Sequence, residues 1–274
     1  MAFFLYFTIA CVICIGAVIE YDRIGHSPCD FFKYYGERPI ARPLLGFING
    51  IIRIWTFWHP HLIRDVQSWA PDLQILSLNW EIIAAEAKNL HAHYQLSNLR
   101  DISKGDFDTV DEGKGQWKVF VMKWHKGTIS ESAKLCPKTC ALLDQVPSLR
   151  SAMFSILAPG AYIAPHSGPS KSILRYHMGL DTPTNKEQCF IRVHGEKYHW
   201  QNGEAVLLDD TYEHSVVNNT NETRVILFGD ILRPMGQPLH ALNYLLCTKF
   251  IQFADFIKEV NDIAEVPVQK KVVS

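Results

Sequence analysis

Seven strand-like apolar runs follow one another between residues 117 and 232, and this series constrains the fold more than any other feature of the chain. They are WKVFVMKW (117–124), AMFSILAP (152–159), LRYHMGL (174–180), CFIRVHG (189–195), AVLLDD (205–210), HSVVNN (214–219) and TRVILFGDIL (223–232). Pro, Gly and Asn separate most of them. Short strands at such spacing predict a mainly β core, a sandwich or a barrel.

Helices flank this core. Trp80, Ile83, Ala84, Ala87 and Leu90 recur at helical spacing, so 71–95 reads as a helix. A helix-like insert covers 130–146, and 241–259 carries Leu242, Leu245, Leu246, Phe250, Phe253 and Ile257 on one stripe, positioned to cap the core or touch a membrane. The polar stretch 98–115 reads as a loop and 264–274 as a frayed tail.

At the other end, residues 2–19 carry no charge. Eighteen helical residues reach about 27 Å, enough for a hydrocarbon core. No basic n-region precedes the run, so an uncleaved anchor is expected rather than a signal peptide. Arg23, Lys33, Arg38, Arg42, Arg53 and Arg64 all follow it. The positive-inside rule therefore predicts a single-pass membrane protein with its body in the cytoplasm, where the sequons at Asn218 and Asn221 are chance matches. A second apolar stretch, 44–58, is interrupted by Asn49 and Arg53. It reads equally as an interfacial helix, with Trp55 and Trp58 at the headgroups, or as a core helix. The expected organisation is an anchor (1–20), a juxtamembrane segment (21–70), the β domain (71–240) and a C-terminal helix with tail (241–274).

Composition excludes other classes. Lys and Arg total 27 against 28 acids, giving a net charge of −1, without the basic excess of a dedicated nucleic-acid binder. Seven Cys form neither a disulfide framework nor paired zinc knuckles; Cys11 and Cys14 sit inside the apolar run as small packing residues. One span is too few for a transporter.

Among twelve His, His59 with His61 and His91 with His93 are two apart and read as structural or exposed. His166 and His214 differ, since each stands at a strand end beside a turn, where β scaffolds present ligands. Two imidazoles suit a first-row divalent metal such as iron, usually joined by a carboxylate two residues after the first His. Here that position is Gly168. Spacing alone leaves open that they are two ordinary histidines. Arg175 and His177 share one strand face, and Arg224 opens the last run. A buried Arg needs an anion, either a dicarboxylate ligand or one of Asp209, Asp210 and Asp230; Ser155 adds a hydroxyl.

Taken together, MFSILAPGAYIAPHSGPSKSILRYHMGL (153–180) and LLDDTYEHSVVNNTNETRVILFGDILRP (207–234) resemble the aspartyl/asparaginyl β-hydroxylase family of iron(II)- and 2-oxoglutarate-dependent dioxygenases. Trp117 and Cys136-Pro-Lys-Thr-Cys140 match as well, and the likeness runs from about Leu76 to Pro234. The resemblance implies a double-stranded β-helix, or jelly roll. It implies Fe(2+) held by His166 and His214, with Gly168 matching a branch that lacks the carboxylate ligand. It also implies 2-oxoglutarate bound by Ser155, Arg175, His177 and Arg224, with Arg224 on the distal carboxylate. The implied activity is C–H hydroxylation consuming O2 and 2-oxoglutarate. Asp209 or Asp210 stands close enough in sequence to orient the ligands.

Two substrate branches fit. Leu174-Arg175-Tyr176-His177, TRVILFGDILRP, the anchor and the C-terminal helix resemble the branch hydroxylating the 2-position of acyl chains in lipid A or ornithine lipid. His166-Ser-Gly-Pro169 looks more like the branch acting on Asp or Asn in polypeptides. A third reading, an inactive binding module on the same fold, would be favoured by loss of either His or of Arg224, and all three are present.

Overall fold

The long central strands are buried on both faces, β5 and β12 almost throughout, and this sets the architecture. The computed structural model describes residues 2–25, 41–99, 116–250, 260 and 262–271. Its strands are β1 (Leu62–Ile63), β2 (Ser97–Asn98), β3 (Trp117–Trp124), β4 (Gly127–Thr128), β5 (Leu149–Leu157), β6 (Tyr162–His166), β7 (Ile173–Asp181), β8 (Cys189–Val193), β9 (Glu196–Tyr198), β10 (Ala205–Leu208), β11 (His214–Asn218) and β12 (Arg224–Leu232). The described helices are α1 (Ala2–Gly25), α2 (Ala41–Trp55), α3 (Val66–Trp69), α4 (Gln74–Leu78), α5 (Trp80–His93), α6 (Ser130–Leu135), α7 (Pro137–Leu143) and α8 (Leu239–Leu245).

The strands form two antiparallel sheets. The larger runs β1-β10-β7-β12-β5-β3-β2, with β4 on β3; the smaller runs β6-β11-β8-β9. On β7, Leu174, Tyr176, Met178 and Leu180 pack outward against Leu76, Ile83, Ala87, Leu90, Cys140 and Leu143 of the helices. Side chains two apart share a face, so Arg175 and His177 turn to the opposite side. There Leu157, Val206, Leu208 and Ile226 of the larger sheet meet Ile163, Ile191, Val193 and Val216 of the smaller. The arrangement is mainly β, jelly-roll-like, with helices covering the outer face.

Every expected run is a strand within a few residues. Five strands escaped the sequence pattern, including β6, which carries His166. Tyr162–His166 contains Pro165 and only one fully apolar inward position of note, Ile163; β11 supplies its pairing. The helix expected over 71–95 breaks at Asn79, whose side chain donates back to the Ile75 carbonyl at 2.8 Å. The insert 130–146 splits at Cys136, because Pro137 starts the second helix without an N–H to give.

Other expectations are corrected. On α8 the buried residues are Leu239 and Asn243, followed by Cys247 beyond the helix, whereas Leu242, Tyr244 and Leu245 are exposed, so Leu242 and Leu245 of the expected stripe do not cap the core. The chain passes into a π-helical turn, Leu246–Phe250; the rest of that expected helix, 251–259, lies outside the described residues. The tail is not frayed through 271: Gln95 N donates to Gln269 O and Lys271 N to His93 O, both at 2.8 Å. Most of the loop expected over 98–115, from 100 on, and residues 26–40 with Lys33 and Arg38 lie outside the described residues.

The N-terminal run is helical as α1, with Phe4, Leu5, Phe7 and Ile9 exposed. Among the described residues, no helix is long and apolar enough to cross a membrane. Small residues bring α1 and α2 together: a Cβ on Gly50 would lie 2.5 Å from the Ala17 nitrogen. α2, within the stretch 44–58, buries Asn49, Gly50 and Ile52 while exposing Phe47 and Trp55.

Candidate active site

Antiparallel pairing of β6 and β11 brings the two singled-out histidines together. His166 closes β6, His214 opens β11, and they are register partners. Their ring centroids lie 4.1 Å apart. Each Nδ1 meets the carbonyl two residues back, His166 on Ala164 at 2.8 Å and His214 on Tyr212 at 3.0 Å. A carbonyl only accepts, so Nδ1 carries the proton and Nε2 keeps its lone pair. Burial, with a contribution from His214, lowers the His166 pKa to about 3, and burial lowers His214 to about 4. Both imidazoles are therefore neutral at physiological pH, the form that binds a metal.

Beside Gly168 the turn after β10 presents an acid, Asp210. A Cβ on Gly168 would lie 2.1 Å from Oδ2 and 2.3 Å from Cγ of Asp210. The Gly168 N–H donates to the Asp210 carbonyl at 2.7 Å. The carboxylate thus fills the side-chain space at 168. Its Oδ2 accepts from Arg175 Nε at 2.8 Å, while Oδ1 is buried without a hydrogen-bond partner among the described residues. Burial, aided by Asp209 and Asp230, raises the Asp210 pKa against the pull of Arg175. A buried acceptor left without a donor is costly unless a ligand or water meets it. Among the described residues no group of three or more His, Cys, Asp or Glu side chains is arranged to hold a metal.

The two arginines have different surroundings. Arg175 also pairs with Asp230, its register partner across β7 and β12. Burial would lower its pKa; the two acids outweigh that and raise it. Arg224 opens β12, is buried, and reaches no acid among the described residues. Its Nη2 donates to Ser155 Oγ at 3.3 Å, its guanidinium lies 4.8 Å from the Trp200 ring centroid, and its Nε has no partner. Burial lowers its pKa to about 10, so it remains a cation. Ser155 also accepts from Trp117 Nε1 at 2.9 Å. His177 lies between Phe228 and Trp200, at 5.0 and 6.1 Å, with neither ring nitrogen hydrogen-bonded. Burial, then Arg224 and Arg175, push its pKa well down. A buried guanidinium, a hydroxyl and an unpartnered imidazole form a cradle for an organic carboxylate.

Asp209 faces a separate network. Burial alone would raise it; Arg233 at 2.6 Å and Lys171 at 3.2 Å outweigh that and hold it far below the ordinary carboxylate range. The expected ambiguity between three acids thus resolves: Arg175 takes Asp210 and Asp230, Arg233 and Lys171 take Asp209, and Arg224 takes none. Sequence reasoning missed Trp200 beneath Arg224, and no signal marks it beyond its aromatic character two positions after Tyr198. His61 stands 3.2 Å from Glu196 and packs on the Tyr212 ring, and His59 lies against Trp69. Asn218 is buried with its side chain donating to the carbonyls of Leu157, Ala158 and Glu222, so that sequon is closed to modification.

Comparisons with known proteins bear on the family. A family model described as aspartyl/asparaginyl beta-hydroxylase matches residues 77–234. An ornithine lipid ester-linked acyl 2-hydroxylase of Rhizobium tropici is 36% identical over 70% of this chain and 66% of its own. The aspartyl/asparaginyl beta-hydroxylase of Homo sapiens is 34% identical over 79% of this chain and 28% of its own. The chain thus spans less than two thirds of the length of either relative. Likeness to solved structures is slight; a Pseudomonas putida prolyl-4-hydroxylase aligns over 58% of this chain and 88% of its own at 16% identity and a TM-score of 0.37. With the family model spanning more than half its length, the chain belongs to the aspartyl/asparaginyl β-hydroxylase family.

Proposed function

We propose that the protein is a membrane-anchored iron(II)- and 2-oxoglutarate-dependent hydroxylase acting on the 2-position of a fatty acyl chain in an envelope lipid, ornithine lipid or lipid A. The observation that carries the cosubstrate is Arg224, a buried cation with no acid to meet it among the described residues. His166 and His214 would hold iron through Nε2. Arg224 and Ser155 would take the distal carboxylate of 2-oxoglutarate, with His177 beside it and Arg175 held in reach by Asp210 and Asp230. When bound, iron(II) and 2-oxoglutarate supply the oxidising chemistry: O2 and 2-oxoglutarate are consumed, succinate and carbon dioxide form, and a substrate C–H becomes C–OH. The chain's own work is to keep both imidazoles neutral, fix their tautomers, neutralise the cosubstrate's charge and wall the site with Phe228 and Trp200.

The lipid reading is supported by the acyl 2-hydroxylase relative and by the exposed apolar surface of α1 and α2. α1 and α2 would attach the protein to the membrane through these exposed apolar side chains. Gly168 and the human relative support a second reading, hydroxylation of Asp or Asn in a polypeptide. Mass spectrometry of membrane lipids from cells with and without the chain separates them. Gain of one oxygen on an acyl-bearing lipid, lost with His214→Ala, is the expected result. No lipid change, with iron-dependent 2-oxoglutarate turnover intact, would transfer the proposal to polypeptides.

A further inference from the structure

The segment that follows His166 and Gly168 is gripped by two asparagines from helices outside both sheets. Asn49, buried on α2, donates from Nδ2 to the Pro169 carbonyl at 2.7 Å and accepts at Oδ1 from Lys171 N at 2.9 Å. Asn243, buried on α8, donates to the Ser172 carbonyl at 2.8 Å. An amide both donates and accepts, so Asn49 satisfies two buried backbone groups that an apolar residue would leave orphaned. Lys171 then carries the grip onward: its Nζ reaches Asp209 at 3.2 Å and Thr211 at 2.9 Å, in the stretch leading to His214. One clamp therefore touches the approaches to both histidines.

The same two helices carry the exposed apolar side chains. Trp55 of α2 is 50% exposed, and Phe57 and Trp58 just beyond it 75% and 62%. Leu242, Tyr244 and Leu245 project from α8. α2 is packed directly on α1, whose Phe4, Leu5, Phe7 and Ile9 are exposed as well. A lipid bilayer matches it: indole rings favour the headgroup layer, and no acid or base stands in 2–19 to meet a polar protein face.

We propose that Asn49 and Asn243 are positioning residues that tie a bilayer-contacting surface on α2 and α8 to the loop carrying His166 and Gly168, so that membrane contact orders the active site. This rests on the membrane reading above. Seating Trp55 and Trp58 in lipid fixes α2, α2 fixes Pro169 and Lys171 through Asn49, and the loop is held for catalysis at the surface where the acyl substrate lies.

The test uses the full chain in phosphatidylcholine–phosphatidylglycerol vesicles, reading amide hydrogen exchange over 166–173 and quenching of Trp55 and Trp58 by brominated lipid. Trp55→Ser with Trp58→Ser, remote from the loop, is expected to speed loop exchange about tenfold. Asn49→Ala is expected to do the same, and the combined variant no more than either alone, the signature of one coupled path. Asn243→Ala breaks the clamp independently and is expected to repeat the pattern, which covers a poorly folded Asn49 variant. Quenching of both tryptophans with loop exchange unmoved by their replacement would overturn the coupling and leave the membrane reading intact. Absence of quenching would remove the bilayer surface itself, and the inference with it.

Discussion

The carboxylate of Asp210 occupies the space that a side chain at Gly168 would need, with Oδ2 2.1 Å from where that Cβ would stand. An acid cannot be added at 168 without displacing the one already there. Gly168→Asp is expected to crowd the site, costing about 1–3 kcal/mol of stability as overpacking does, and to abolish turnover. Gly168→Asp with Asp210→Gly is expected to recover most of the stability in urea unfolding. A fully stable, active single variant would contradict the crowding.

His166 and His214 offer two Nε2 lone pairs, with no third protein donor among the described residues. Losing one halves the donor set. His166→Ala or His214→Ala is expected to weaken iron binding by more than the roughly 10–100-fold typical of an outer partner, and to stop succinate release. Iron titration by calorimetry checks the first and a succinate assay the second.

Arg224 lies buried without an acid, so it burdens the empty fold and serves the bound state. Arg224→Met is expected to leave the melting temperature of the cosubstrate-free protein unchanged or higher. It should raise the apparent 2-oxoglutarate KM roughly 10–100-fold, the loss of a charge-assisted pair of about 1.5–3 kcal/mol, and remove thermal stabilisation by 2-oxoglutarate. Arg175→Met should behave oppositely in the first respect, because it strands Asp210 and Asp230.

His125, His166 and His214 are held at about 4, 3 and 4 by burial, and His177 lower still than its ordinary value. Unfolded histidine titrates near 6.5. Between about pH 6.5 and 4 the unfolded chain therefore binds more protons, and stability falls as pH falls, by up to about 1.4 kcal/mol per unit for each group. Asp210, raised by burial, opposes this over part of the window and is outnumbered. The urea midpoint of the metal-free protein is expected to drop from pH 7.5 to 5.5.

Legibility in the sequence followed the local strength of each signal. The seven runs were visible because alternation on strands such as β7 writes both faces into six residues. β6 was not, since Pro165 and polar neighbours leave its pairing to β11. The histidine pair could be named, but their meeting depends on register between strands nearly fifty residues apart. Asp210 was a neighbour in sequence whose place beside Gly168 needs the β10 turn. The helix over 241–259 left open whether its apolar stripe caps the core or faces a membrane; in the described part Asn243, a polar residue, is buried, because Ser172 offers it a carbonyl. The same holds for Asn49, which looked like an interruption of 44–58 and is its most buried contact.

The central claim is that the imidazole pair and Arg224 together hold iron(II) and 2-oxoglutarate. Anaerobic optical titration of the purified full chain tests it most directly. The account predicts a visible charge-transfer band that appears only when iron(II) and 2-oxoglutarate are both present, that saturates at one equivalent of each, and that is lost in His214→Ala. In Arg224→Met it should need far more 2-oxoglutarate. A wild-type chain that gives no such band, or a band indifferent to His166, His214 and Arg224, would contradict it.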